Sequence, residues 1–265
     1  MKIEKLLEVV EKVFPVSSAM DGDKLGLQVY PEKREILKLL VTLEITEEVI
    51  DEATLNRFDC IITFHPLIYF PLTFLNHTDR IGRLSSLLIK NNISAIAIHT
   101  NFDAYINGTS RIFAEKLGLK FDDFLERNIN NKDCGMGAIA SNNESIGEDI
   151  FLNKIQTICK SPLRYVSGAK EEIQKVAIVG GAGISFLQKA LDCGADAFIT
   201  ADISYHYFHK AKNLITLIDP GHFEMEQFVP EGIANVLRNI CPKNEIETIE
   251  VSKINTNPVK YFQRN

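Results

Sequence analysis

The chain has 265 residues, 45% hydrophobic and 24% charged, a balance that excludes disordered, collagen-like and coiled-coil classes. The length fits two modest domains or one large α/β unit. With 35 acidic and 29 basic residues the net charge is −6, which opposes general nucleic-acid binding but not a local site for a small nucleotide ligand.

From the N-terminus, Ile3, Leu6, Leu7, Val10 and Val13 fall at helical spacing, with Glu4, Glu8 and Glu11 between them. That pattern predicts an amphipathic helix over Met1–Phe14 rather than a signal peptide. No run of about 20 apolar residues follows, so no membrane span is expected and a cytoplasmic location is. Short apolar runs at 58–63, 93–98, 175–179, 197–200 and 214–218 predict buried strands, and helical patterns at 46–56, 80–91, 110–117, 184–193 and 230–239 separate or follow them. Gly118 and Gly194 stand where helices end. Mixed sheets with covering helices, an α/β fold, follow from this alternation.

Residues 59–65 (Asp-Cys-Ile-Ile-Thr-Phe-His) echo residues 196–202 (Asp-Ala-Phe-Ile-Thr-Ala-Asp). Each copy is followed by a strand that ends in a histidine, His99 or His222, a pattern that suggests two similar lobes. The Asn-, Asp- and Gly-rich segment 121–145 is the expected boundary region. The expected division places residues 1–125 with about 225–265 in a first lobe and 126–224 in a second. The five cysteines form no Cys-x-x-Cys pair and are expected to be reduced and mostly buried.

Chemistry concentrates just beyond the strands, the region where open α/β sheets gather functional groups. His99 precedes Asp103 by four residues and His222 precedes Glu226 by four, while Pro66 restrains the backbone of His65. Imidazole with carboxylate is a ligand mixture for zinc, iron, manganese or nickel. A lone histidine at a strand end is commonly a hydrogen-bonded structural residue; two such pairs and a His-Pro in one chain favour metal. His206 reads equally as support for the site or as part of a helix face, His209 as a helix face, and His77 as an exposed turn. The run Gly180-Gly181-Ala182-Gly183 lacks the last glycine of a dinucleotide fingerprint, where Phe186 stands, and reads as a tight strand-to-helix turn.

Several motifs, Gly26-Leu27-Gln28-Val29 after Asp23, Phe64-His65-Pro66-Leu67-Ile68, Ala97 to Ala104, Ile199 to His206, Gly221 to Glu226 and Ile254 to Pro258, together with that glycine run, resemble the GTP cyclohydrolase 1 type 2 homologue family, also called Nif-three-like. The resemblance spans essentially the whole chain and corresponds to the short bacterial form. It implies two α/β lobes with a dinuclear metal site in the cleft between them and a ring-shaped homohexamer. It assigns metal ligation to His65, Asp103, His222 and Glu226, with His99 within or beside the set. One position departs: Phe64 stands where the family has the first of two successive histidines. A divalent cation, one or two per chain, is therefore expected, with one bound firmly and any second bound weakly. Two kinds of function are consistent with this: a metal-dependent hydrolase of a nucleotide or other heterocyclic ring, or a non-catalytic metal carrier, chaperone or interaction scaffold.

Overall fold

The apolar runs form the middles of two mixed sheets. The computed structural model describes residues 1–32, 35–128, 131 and 133–262. Its elements in chain order are α1 (Ile3–Val13), β1 (Gly26–Val29), β2 (Lys38–Thr42), α2 (Glu47–Leu55), β3 (Cys60–Thr63), α3 (Arg80–Lys90), β4 (Ser94–Ala97) and α4 (Thr100–Asp103). Next come α5 (Thr109–Lys116), β5 (Lys120–Asp123), the small pair β6 (Glu126–Arg127) and β7 (Gly135–Met136), β8 (Ala138–Gly147), α6 (Glu148–Cys159), β9 (Arg164–Val166) and β10 (Glu172–Ile178). The remainder are α7 (Leu187–Asp192), β11 (Ala197–Ile199), α8 (Tyr205–Ala211), β12 (Thr216–Asp219), α9 (His222–Glu226), α10 (Val229–Ile240) and β13 (Thr248–Val251). Among the described residues, no helix is long and apolar enough to cross a membrane.

The chain forms two compact units. The first comprises residues 1–102 and 229–256 and holds a five-stranded sheet in the order β1-β4-β3-β2-β13, parallel except for β1. Every residue of β3 and β4 is buried, as expected for parallel strands covered on both faces. Leu40, Ile61 and Ala95 of the sheet pack with Val49 and Ile50 of α2 and Leu84 and Leu88 of α3. Fully burying a Leu, Ile or Val side chain of this set contributes about 1.5–3 kcal/mol over leaving it in water. The two helices begin at defined caps: Thr46 Oγ1 accepts from Val49 N at 3.3 Å, and Asp79 Oδ2 accepts from Gly82 N at 2.8 Å, satisfying amides that have no partner inside the helix.

The second unit comprises residues 103–228 and 257–265, and its sheet runs β5-β8-β10-β11-β12-β9. Strands β10, β11 and β12 are parallel to one another, and the outer strands are antiparallel to their neighbours. One face buries Val176, Ile178 and Ile199 against Phe113 of α5 and Phe151 and Ile155 of α6. The other buries Ala177, Phe198 and Leu217 against Leu187 of α7 and Ala211 of α8.

The echo noticed in the sequence is a shared hydrogen-bond pattern. Asp59 Oδ2 accepts from the amides of Leu37 and Lys38 at 2.8 and 2.9 Å, pinning the start of β2 beside β3. Asp196 Oδ2 does the same for Gln174 and Lys175 at 3.0 and 2.8 Å, pinning β10 beside β11. The backbone repeats the correspondence: Asp59 N donates to Lys38 O, and Asp196 N donates to Lys175 O.

The helices expected over 46–56, 80–91, 110–117 and 230–239 lie within a residue of their observed bounds, and 184–193 is a 3-10 turn continued by α7. Gly118 and Gly194 take positive φ values of 63° and 71°, conformations a side chain disfavours. Strands β1, β8, β9 and β13 and helices α6 and α8 carry no equally clear apolar run, whereas β2, with Leu39, Leu40 and Val41 all buried, is a further apolar run that the five above did not include. In β8 the outer half, Asn142 to Ile146, is half-buried or exposed, so its sequence reads as a loop.

Candidate metal centre

In the first unit, β3 hands the chain to Phe64 and His65. The buried Thr63 hydroxyl lies 3.1 Å from Leu43 O and 3.0 Å from His65 O, and His65 N donates to Leu43 O at 2.9 Å. This holds the His-Pro segment in place. His65 Nδ1 lies 3.3 Å from Glu44 Oε1. After β4, His99 Nδ1 lies 2.9 and 3.0 Å from the two oxygens of Asp23. Asp23 also accepts from Thr100 N at 3.1 Å. Burial works to raise the Asp23 carboxyl, but the hydrogen bonds from His99 and Thr100 and the nearby His99 charge outweigh it and hold the group far below the usual carboxylate range. The His65 and His99 rings sit 5.5 Å apart, and the fully buried Phe64 ring packs 5.0 Å from the first and 5.3 Å from the second.

In the second unit, β12 ends at Asp219 and the chain turns through Gly221, whose φ of 100° suits glycine. Helix α9 then places His222 and Glu226 one turn apart on one face, with His222 Nε2 3.0 Å from Glu226 Oε2 and the glutamate side chain only 3% exposed. His222 Nδ1 lies 2.6 Å from Asp202 Oδ2. Asp219 anchors both loops: Oδ1 accepts from Gly221 N at 3.0 Å and Oδ2 from Ile203 N at 3.2 Å. The buried Glu224 accepts from Asn257 Nδ2 at 3.0 Å, and burial together with Glu224 pushes the Tyr261 phenol up. Asn257 thus ties the chain that follows it to α9.

Three histidines therefore share one arrangement: a carboxylate on Nδ1, with Nε2 presented on the other side. A carboxylate in that position fixes the tautomer and orients the ring for ligation through Nε2. At His222 the consequence is direct. With Nδ1–H donating to Asp202, the Nε2 lone pair of a neutral ring points at a carboxylate oxygen, and a positive centre, a proton or a metal cation, is required between them. Gly181, at φ 59°, keeps the adjoining space open, since a Cβ there would sit 2.5 Å from Glu226 Oε1 and 3.1 Å from His222 Nε2. Nitrogen and carboxylate donors beside a position kept free of side chain fit a divalent cation.

Of the residues singled out in the sequence, His65 and His99 come together in the first unit, and His222 and Glu226 in the second. Asp103 closes the turn α4 and is half-buried. His77 lies exposed before α3, while His206 and His209 are exposed on α8. The supporting carboxylates Asp23 and Glu44 carry no local signal: each is separated from its histidine by 76 and 21 residues, respectively.

The Duf34/NIF3 (NGG1p interacting factor 3) family model matches residues 1–258. The chain belongs to this family. Among relatives named GTP cyclohydrolase 1 type 2 homolog, one from Clostridium perfringens is 31% identical over 85% of this chain and 87% of its own, and one from Lactococcus lactis is 32% identical over 90% and 92%. A solved Staphylococcus aureus hypothetical protein superposes with a TM-score of 0.91 at 28% identity, covering 99% of both chains. A Bacillus cereus protein described as related to NIF3 shares the Duf34/NIF3 fold, with a TM-score of 0.91 at 22% identity.

Proposed function

We propose that this chain is a divalent-metal-binding protein whose metal serves hydrolysis of a nucleotide or another heterocyclic ring. The observation that carries the reading is the repeated carboxylate–histidine arrangement at His65, His99 and His222, joined at His222 by the buried Glu226. The ligand set we assign is His65, Asp103, His222 and Glu226, with His99 within or beside it, and the metal is iron, zinc, manganese or nickel. When bound, such a cation supplies a Lewis acid that lowers the pKa of water toward neutrality. Asp202 and Asp23 orient the imidazoles, Gly181 keeps space beside Glu226, and Glu226 Oε1, turned toward that glycine, is the atom we assign to proton transfer. The names of the relatives support a cyclohydrolase-like reading.

Phe64 favours a second reading, a carrier that exchanges its metal. Its ring fills the place beside His65 and His99 with a side chain that offers no ligand, so a second ion would have fewer donors. Calorimetric titration with zinc and manganese, paired with turnover assays on nucleotides, separates the readings. The hydrolase keeps its fold but loses turnover in Glu226→Gln, whereas a carrier shows no turnover and yields its metal to a mild chelator. Absence of metal binding in the wild type contradicts both.

Assembly into a homohexameric ring is part of the same proposal. The segment with Tyr69, Phe70, Phe74 and Leu75 exposes large apolar side chains, Phe70 at 72%, and supports burial against another copy. Light scattering on the purified protein is expected to give the mass of six chains.

A further inference from the structure

A groove of about 570 Å³ opens on the second unit between the edge strand β9 and helix α8. Its walls include Tyr165, Tyr205 and Phe208, and its basic residues are Arg164, His209 and Lys212. The volume falls within the range of small-molecule sites. Tyr205 is 68% exposed and Tyr165 48%, so two large rings face solvent at an opening with polar groups at its edges. Tyr205 stands edge-on to His209, 4.8 Å between centroids, which fixes both side chains along one face of α8.

The charges have unequal roles. Arg164 is already engaged: it bonds Asp219 and Ile203 O, and its guanidinium lies 5.4 Å from the Phe208 ring centroid. It is a rigid wall. Among the described residues, no carboxylate pairs with Lys212 or His209, so the groove presents an unpaired lysine cation and an imidazole beside exposed aromatic faces. A ligand that satisfies both features is a planar heteroaromatic ring carrying an anionic group: the ring stacks on tyrosine and the anion meets Lys212 and His209.

We propose that this groove binds a nucleoside monophosphate, base against Tyr205 and Tyr165 and phosphate toward Lys212 and His209. The site is distinct from the metal residues yet mechanically tied to them. Asp219 holds Arg164 in the groove wall and also accepts from Ile203 N, next to Asp202, and from Gly221 N, next to His222.

The test is calorimetric titration of the full chain with adenosine and guanosine monophosphates in the presence of a chelator, which removes any contribution from bound metal. Adenosine and inorganic phosphate serve as half-ligands. The expected result is saturable binding of one monophosphate per chain, weaker binding of either half, and about tenfold loss of affinity in both Tyr205→Ala and Lys212→Ala, equivalent to about 1.4 kcal/mol each. Both side chains are exposed, so the variants are expected to fold, and circular dichroism checks this. Absence of monophosphate binding overturns the proposal, as does binding that both substitutions leave unchanged or that phosphate alone reproduces in full. Because the chelator is present throughout, failure here leaves the metal reading standing, and failure of metal binding leaves this result intact.

Discussion

Asp202 separates support of a ligand from ligation itself. It touches His222 Nδ1 while its own side chain is 57% exposed, so Asp202→Ala is expected to leave the fold intact and to weaken zinc affinity by about 10- to 100-fold, the usual cost of losing an outer partner. Unchanged affinity in a zinc titration contradicts the role. Phe64 gives a second test. Phe64→His removes a fully buried ring that packs on Phe102, centroids 6.4 Å apart, so we expect about 1–3 kcal/mol of lost stability from an imperfectly satisfied buried polar group, accompanied by tighter binding of a second ion. Denaturant unfolding and metal stoichiometry read the two effects separately, and unaltered stoichiometry and affinity speak against Phe64 as the missing ligand position. The pair His222 and Glu226 was legible in the sequence because a four-residue spacing within a helix fixes the geometry locally. Asp23 and Glu44 were not, because only the tertiary fold brings them to their histidines.

Asp59 and Asp196 act at the scale of elements, each tying two adjacent parallel strands by accepting from successive amides. For Asp196, burial raises the carboxyl, while the hydrogen bonds from Lys170, Lys175 and Gln174 outweigh it and lower the group from 3.8. A group lowered in the folded state stabilises the fold fully above its unfolded pKa and loses that contribution as pH falls through the lower folded value. Asp196→Ala is therefore expected to cost about 1–3 kcal/mol at neutral pH, the penalty of orphaning partly buried amides, and the gap between variant and wild type is expected to close under acid. Urea unfolding at pH 7 and pH 3 measures this; a constant gap contradicts the linkage. The same aspartates explain why β3 and β11 were readable: an Asp opening a short apolar run that ends in Thr marks each. Strands such as β8 were not readable because their polar outer halves gain order from pairing, Ile146 opposite Ile173 and Gly147 opposite Glu172 of β10, rather than from local pattern.

At the scale of the molecule, the two units each own a sheet and a core, and the first is completed by α10 and β13, which arrive more than a hundred residues after the rest of it. The parallel pairing of β13 with β2 is a long-range contact that no local pattern announces, whereas the α/β character and the histidines beyond the strands were visible in the sequence. What unites these levels is the claim that the carboxylate-supported histidines exist to hold a divalent cation. The most direct test is elemental analysis of the purified protein, as metal per chain, for the wild type and for His222→Ala. The account predicts about one or two divalent ions per chain in the wild type and their loss in the variant. A wild type that carries none after incubation with iron, manganese and zinc, or a variant that carries as many ions as the wild type, contradicts it.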